Sequence, residues 1–216
     1  MTVVTRREWA LLAFILVYSF IPTFGGLFRV VELFGGPSIA PPNPRAVAAP
    51  LPVVLHILSS FLFCIVGGLQ FLPSLRHHHP ALHRAVGRVI ASAGCVSGLT
   101  GLWMTHAYAL PTELQGEWLY RTRIILSLSM VGLIAWAFLA IRVRNVTGHR
   151  AAMLRAYAIA QGASTQTVLG ICWMIASGTE LLGPVRDGMM IFSWAINFLA
   201  AEIVIGKVFA SPSPQT

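Results

Sequence analysis

Charge is scarce in this sequence: of 216 residues only 10% are Asp, Glu, Lys or Arg, against about 25% in a soluble globular domain. With 56% hydrophobic residues and a mean hydropathy of +0.74, water is excluded as the main solvent. Cysteine is sparse as well. Cys64, Cys95 and Cys172 each lie in a long apolar run, and none has a partner at CxxC or other zinc-ligand spacing. They read as small buried side chains, and no metal site is assigned. The chain also lacks a P-loop, a GxSxG elbow, an HExxH helix and a nucleotide-binding glycine loop. Hydrolase and kinase chemistry of the soluble type has no support.

What is present is apolar length. A bilayer-crossing helix needs about 20 mostly apolar residues, and such segments run approximately over 10–28, 51–72, 86–108, 124–141, 156–176 and 189–209. The expectation is an all-α integral membrane bundle of about six transmembrane helices, forming a single membrane domain over 1–216 with no room for a separate soluble one. Turn-rich stretches such as PSIAPPNPRAVAAP and SGTELLGP separate the spans.

If the N-terminus is cytoplasmic, the inner segments carry Arg6, Arg7, Arg76, Arg84, Arg88, Arg142, Arg144, Arg150, Arg155 and Lys207, ten of fifteen basic residues. That bias predicts an N-in/C-in topology. It also accounts for the net charge of +8 without nucleic acid. Trp103, Tyr108, Trp118 and Tyr120 mark the outer interface. The start TRREWALLAFILVYSF has the look of a twin-arginine export signal, but no A-x-A cleavage site follows, and the first helix is expected to stay as an anchor. The lipid bilayer is the expected partner, protein partners are unassigned, and a homo-oligomer is compatible with the chain.

Polar groups inside spans carry a default suspicion of function, set against the frequency of structural hydrogen bonds between helices. His56 and His106 fall on the outer side, His83 and His149 on the inner side. Two histidines at similar depth on neighbouring helices can supply both axial ligands of a haem b, so the four are candidate haem ligands. The competing reading makes His56 an interhelical hydrogen-bond partner and the other three interfacial residues. The run of three histidines at 77–79 reads as a basic loop beside anionic headgroups.

Gly87, Ala91, Gly94, Gly98 and Gly101 share one face of the third span, which permits close helix packing or a flat cofactor. The fifth span carries Tyr157, Gln161, Ser164, Thr165, Gln166 and Thr167, and Tyr157, Gln161 and Ser164 share one face, a polar stripe that must face other helices or a cavity. Gln161, Thr165, Asn197 and Arg155 are therefore expected to line a polar cavity. Glu202 is the most suggestive acidic residue: protonated, paired with Lys207, Arg88 or Arg155, or acting as an acid.

His56, then GGLQFLP, HPALHRAVGR and GHRAAMLRAYA, and finally Trp194, Asn197 and Glu202 in SWAINFLAAE, together resemble the bacterial membrane proteins called domain of unknown function 2306. The resemblance runs from His56 to Glu202. It implies that His56, Gln70, His83, Arg84, Gly87, Arg88, His149, Arg150, Arg155, Asn197 and Glu202 match the family's recurrent pattern, and that the protein sits in the bacterial inner membrane. His106 and the three consecutive histidines fall outside that pattern. The family brings no settled activity. Three functional expectations follow: a haem-binding transmembrane redox protein; a transporter of a small molecule or ion with a cavity at Gln161, Thr165 and Asn197; and a membrane enzyme using Glu202 and His83 as acid and base on a lipid-soluble substrate.

Overall fold

The computed structural model describes residues 4–39 and 41–209. These residues are helical with no strand among them. Helix α1, Arg6–Leu33, starts at a capping box: the Thr5 hydroxyl accepts from the Glu8 amide, and the Glu8 carboxylate accepts from the Thr5 amide at 2.8 Å. The other Glu8 oxygen accepts from the Ser74 amide at 2.8 Å, so the same side chain anchors α1 to the chain at Ser74. Short helix α2, Pro44–Ala48, and helices α3, Pro50–Cys64, α4, Pro73–His78, and α5, Pro80–Ala107, all begin at proline. Proline is suited to the first helical position, where its missing N–H would have no partner in any case. Pro44 and Pro50, read as part of a turn-rich stretch in the sequence, therefore start helices here.

Helices α6, Glu117–Arg142, α7, Val146–Ala160, α8, Gly162–Ser177, and α9, Gly183–Phe209, complete the chain. Five stretches are long and apolar enough to cross a membrane: Arg6–Leu33, Pro50–Phe71, Pro80–Ala107, Glu117–Arg142 and Gly183–Lys207. Most extend several residues beyond the apolar runs, because charged and aromatic ends continue a helix into the interface. The interval 156–176, read as an uninterrupted span, is instead divided between α7 and α8 at Gln161. Neither half alone covers a hydrocarbon core of about 30 Å at about 1.5 Å per residue. The second span is also interrupted, passing after Cys64 into a 3₁₀ turn over Val66–Phe71.

The two interruptions lie close together in the bundle. Tyr157 of α7 donates its hydroxyl to the Cys64 carbonyl at the end of α3, and Trp194 of α9 donates its indole N–H to the Ile159 carbonyl beside the α7–α8 break at 3.1 Å. Side-chain donors thus reach carbonyls at ends where the regular ladder stops. The buried core joins Phe63, Ile90, Ala91, Met130, Ile134, Ala156, Tyr157 and Ile159, drawn from α3, α5, α6 and α7. Helix α1 packs on α3 and α8, and α9 packs on α7 and α8. The small-residue face of α5 serves packing: a Cβ at Gly94 would stand 2.5 Å from Phe63 and 2.7 Å from Ile134.

Candidate functional site

A cavity of about 930 Å³ opens among the 3₁₀ turn, the first half of α5, the last turns of α6 and the length of α7. Its floor is apolar and aromatic, with Phe63, Phe71, Ile90 and Tyr157. Its remaining wall carries Arg76, Arg84, Arg88, Arg142 and Arg150 together with His83 and His149, and no Asp or Glu lines it. Arginines read in the sequence mainly as orientation signals therefore converge on one space. A wall of like charge beside a low-dielectric floor concentrates positive potential there.

The two histidines of this cavity are held differently. His149 lies inside α7, three residues past its first residue, rather than ahead of a span. Its Nδ1 is 3.0 Å from the Ala137 carbonyl, which can only accept, so Nδ1 carries a proton and Nε2 is left as the second ring nitrogen. A backbone carbonyl holding one nitrogen is the usual arrangement when the other is to bind a ligand. His83 lies in the first turn of α5, and its Nδ1 is buried with no hydrogen-bond partner. The Gln70 amide nitrogen, on the same cavity, is buried and unpartnered as well. Gln70 lies against Gly87, where a Cβ would stand 3.0 Å from its Oε1. Two buried polar atoms beside one basic wall are thus left without a protein partner, and a water or a ligand group would complete their bonding.

The family described as "Predicted membrane protein (DUF2306)" matches residues 53–205. The chain belongs to this family. No curated protein and no solved structure matches it. The matched interval holds every residue of the basic cavity and leaves α1 outside.

Other candidate residues fall elsewhere. His56 lines a different cavity, in the half of the bundle formed by the end of α5 and the start of α6. His106 does not line that cavity; its Nδ1 pairs with the Tyr120 hydroxyl at 3.0 Å. The structure therefore brings His83 and His149 to one space and does not bring His56 and His106 to another. No group of three or more His, Cys, Asp or Glu side chains able to hold a metal ion occurs among the described residues.

Gln161, Thr165 and Asn197 make an interhelical hydrogen-bond cluster and line none of the cavities described here. Gln161 Oε1 accepts from Ser19 at 3.0 Å and from Ser164 at 2.8 Å, while Thr165 donates to Asn197 at 2.8 Å and pairs with the Tyr18 hydroxyl. Arg155 holds Glu202 through two bonds, Nε to Oε1 at 2.5 Å and the terminal nitrogen to Oε2 at 2.8 Å. Of the three partners considered for that carboxylate, Arg155 is the one that engages both its oxygens. A bidentate pair of this kind fixes α7 to α9.

The sequence reading missed Phe71 and Arg142 as parts of one wall. The usable signal was the recurrence of arginine at the ends of three segments that meet, Arg84 and Arg88, Arg142, and Arg150.

Proposed function

We propose that the protein is a haem-binding redox protein of the bacterial inner membrane, both ends cytoplasmic, with one haem b in the basic cavity between His83 and His149. The observation that carries this is the coincidence of two imidazoles, an aromatic floor and five arginines around about 930 Å³. His149 would ligate through Nε2, oriented by the Ala137 carbonyl. His83 would be the second imidazole to hold the group, the aromatic residues would pack against it, and the arginines would pair with its carboxylates. Such a group exchanges single electrons at a potential set by its ligands and burial.

A second reading is favoured by the number of arginines, which exceeds what two carboxylates need. In it the cavity takes an anionic lipid-soluble substrate, its chain on Phe63 and Phe71 and its acidic head on the arginines. One preparation separates the two. Protein expressed with haem supplementation and purified in detergent is scanned oxidised and dithionite-reduced, and its bound lipids are extracted for mass spectrometry. A Soret band abolished by His149→Ala and by His83→Ala supports haem. A colourless protein that carries an anionic lipid, lost on Arg84→Gln with Arg88→Gln, rejects haem in favour of the second reading.

A further inference from the structure

We propose that the cavity lined by His56 is a second ligand site, independent of the basic one, and that it takes a hydroquinone-class molecule: a neutral aromatic ring whose hydroxyl donates to the His56 imidazole. This cavity measures about 440 Å³, within the range of about 300–1,000 Å³ of small-molecule sites. It lies between α1, α3, α5, α6 and α8, with Trp194 of α9 on its wall.

The chemistry of the ligand follows from what each polar group already does. His56 Nδ1 is 3.0 Å from the Ser97 carbonyl. A carbonyl cannot donate, so Nδ1 holds the proton and the ring orientation is fixed. In the neutral imidazole Nε2 is then a hydrogen-bond acceptor, and it has no partner among the described residues. A ligand that satisfies it must bring a donor. Ser60 and Ser97 spend their hydroxyls on each other at 2.7 Å, and Arg123 is engaged by the Gln115 carbonyl oxygen at 2.5 Å and by Met190 sulfur. No Asp or Glu lines the space. A cationic ligand would find no counter-charge and an anion only a guanidinium already engaged, so the fitting ligand is neutral.

Shape points the same way. Ile57, Met104, Leu126 and Met130 make most of the remaining wall apolar, and methionine sulfur beside a ring is a favourable contact. Gly101 lets α5 close on the imidazole: a Cβ there would stand 3.3 Å from His56 Cε1 and 3.6 Å from the Ser127 hydroxyl, so the ring is packed against the helix and held in one place. A flat apolar ring with hydroxyls at its edges also partitions into the bilayer from which this cavity would be filled.

The test uses the full-length protein in detergent, anaerobically, with 2-methyl-1,4-naphthohydroquinone as the probe and isothermal titration calorimetry as the readout. Its dimethyl ether, which keeps the ring and lacks the O–H donor, is titrated alongside. Saturable binding of the hydroquinone is expected, at least about tenfold weaker for the ether and for His56→Phe, about what one buried hydrogen bond contributes. Gly101→Val, whose side chain would press on the His56 ring and displace it, is expected to weaken hydroquinone binding by a similar factor. The titration is run on haem-free protein, so failure of the haem reading does not alter this result, and Gly132→Ala, which lines neither cavity and whose Cβ meets nothing within 4 Å, is expected to leave it unchanged. Equal affinity for hydroquinone and ether, no saturable binding, or unchanged binding in His56→Phe and Gly101→Val proteins that elute and scan as the parent does would each overturn the proposal.

Discussion

The Tyr157 hydroxyl donates a 2.6 Å hydrogen bond to the carbonyl of Cys64, the last residue of α3. This bond joins two elements that both depart from regular helix, since α3 gives way to a 3₁₀ turn and α7 ends at Ala160, three residues beyond Tyr157, before the Gln161 break. Tyr157 also lines the basic cavity and stacks edge-on against Phe71 with ring centroids 4.9 Å apart. Its hydroxyl secures the interruption while its ring forms the floor.

Removing that hydroxyl leaves a buried carbonyl without its side-chain donor. Tyr157→Phe is expected to lower stability by about 1–3 kcal/mol, read as a lower midpoint in thermal unfolding followed by circular dichroism in detergent. Because the ring remains, the floor of the cavity is retained and ligand affinity should fall less than it does in Tyr157→Ala. An unchanged midpoint would show that the bond contributes nothing to the α3 end.

The close approach of α5 to its neighbours depends on Gly94. An added Cβ would meet Phe63 and Ile134, both almost fully buried and with little room to retreat. Gly94→Ala is expected to cost about 1–3 kcal/mol through overpacking, whereas Gly132→Ala, whose Cβ would meet nothing within 4 Å, should leave the midpoint unchanged or slightly raised. Comparing the two in one detergent tests packing against the general effect of a helix glycine.

The extent to which this was legible in the sequence differs by feature. Helices α1, α5, α6 and α9 follow from apolar runs of bilayer length, because hydrocarbon admits no other economical backbone structure. The burial of Tyr157, Gln161 and Ser164 was legible for the same reason: a polar stripe in a span must find partners. The break at Gln161 was not. Glutamine favours a helix and a single glycine costs only about 1 kcal/mol, too little to mark a break, and the Ile159 carbonyl is met by Trp194, which lies 35 residues further along. The basic cavity was hidden because charge counting assigns each arginine to a membrane side and says nothing of which arginines face one another. His106 illustrates the converse, since its spacing suits an outer pair but a hydroxyl on α6 takes its ring nitrogen.

The contact at the α7–α8 break gives a further expectation. A Cβ on Gly162 would run into the Trp194 indole nitrogen, and that nitrogen donates to the Ile159 carbonyl. Gly162→Ala should therefore displace the indole, lose its hydrogen bond and shift the tryptophan emission maximum, with the combined cost exceeding that of Gly170→Ala, where a Cβ meets nothing within 4 Å. Identical emission and midpoint in both variants would show that Trp194 does not hold the break.

Arg155 and Glu202 offer a test in which loss and recovery are both measured. Their side chains are one-third to nearly one-half exposed by relative area, 33% and 45%, so screening weakens the pair, and its bidentate geometry is what makes it worth testing. Arg155→Glu places two carboxylates together, and Glu202→Arg places two guanidinium groups together; each single reversal is expected to lower the unfolding midpoint and the yield of folded protein. The double reversal, Arg155→Glu with Glu202→Arg, restores opposite charges between α7 and α9 and should recover most of the loss. Recovery would assign Glu202 a packing role. Folded, ligand-binding protein from the double variant that nevertheless lacks activity would instead require Glu202 itself in the chemistry, because the carboxylate would then matter by position and not by pairing.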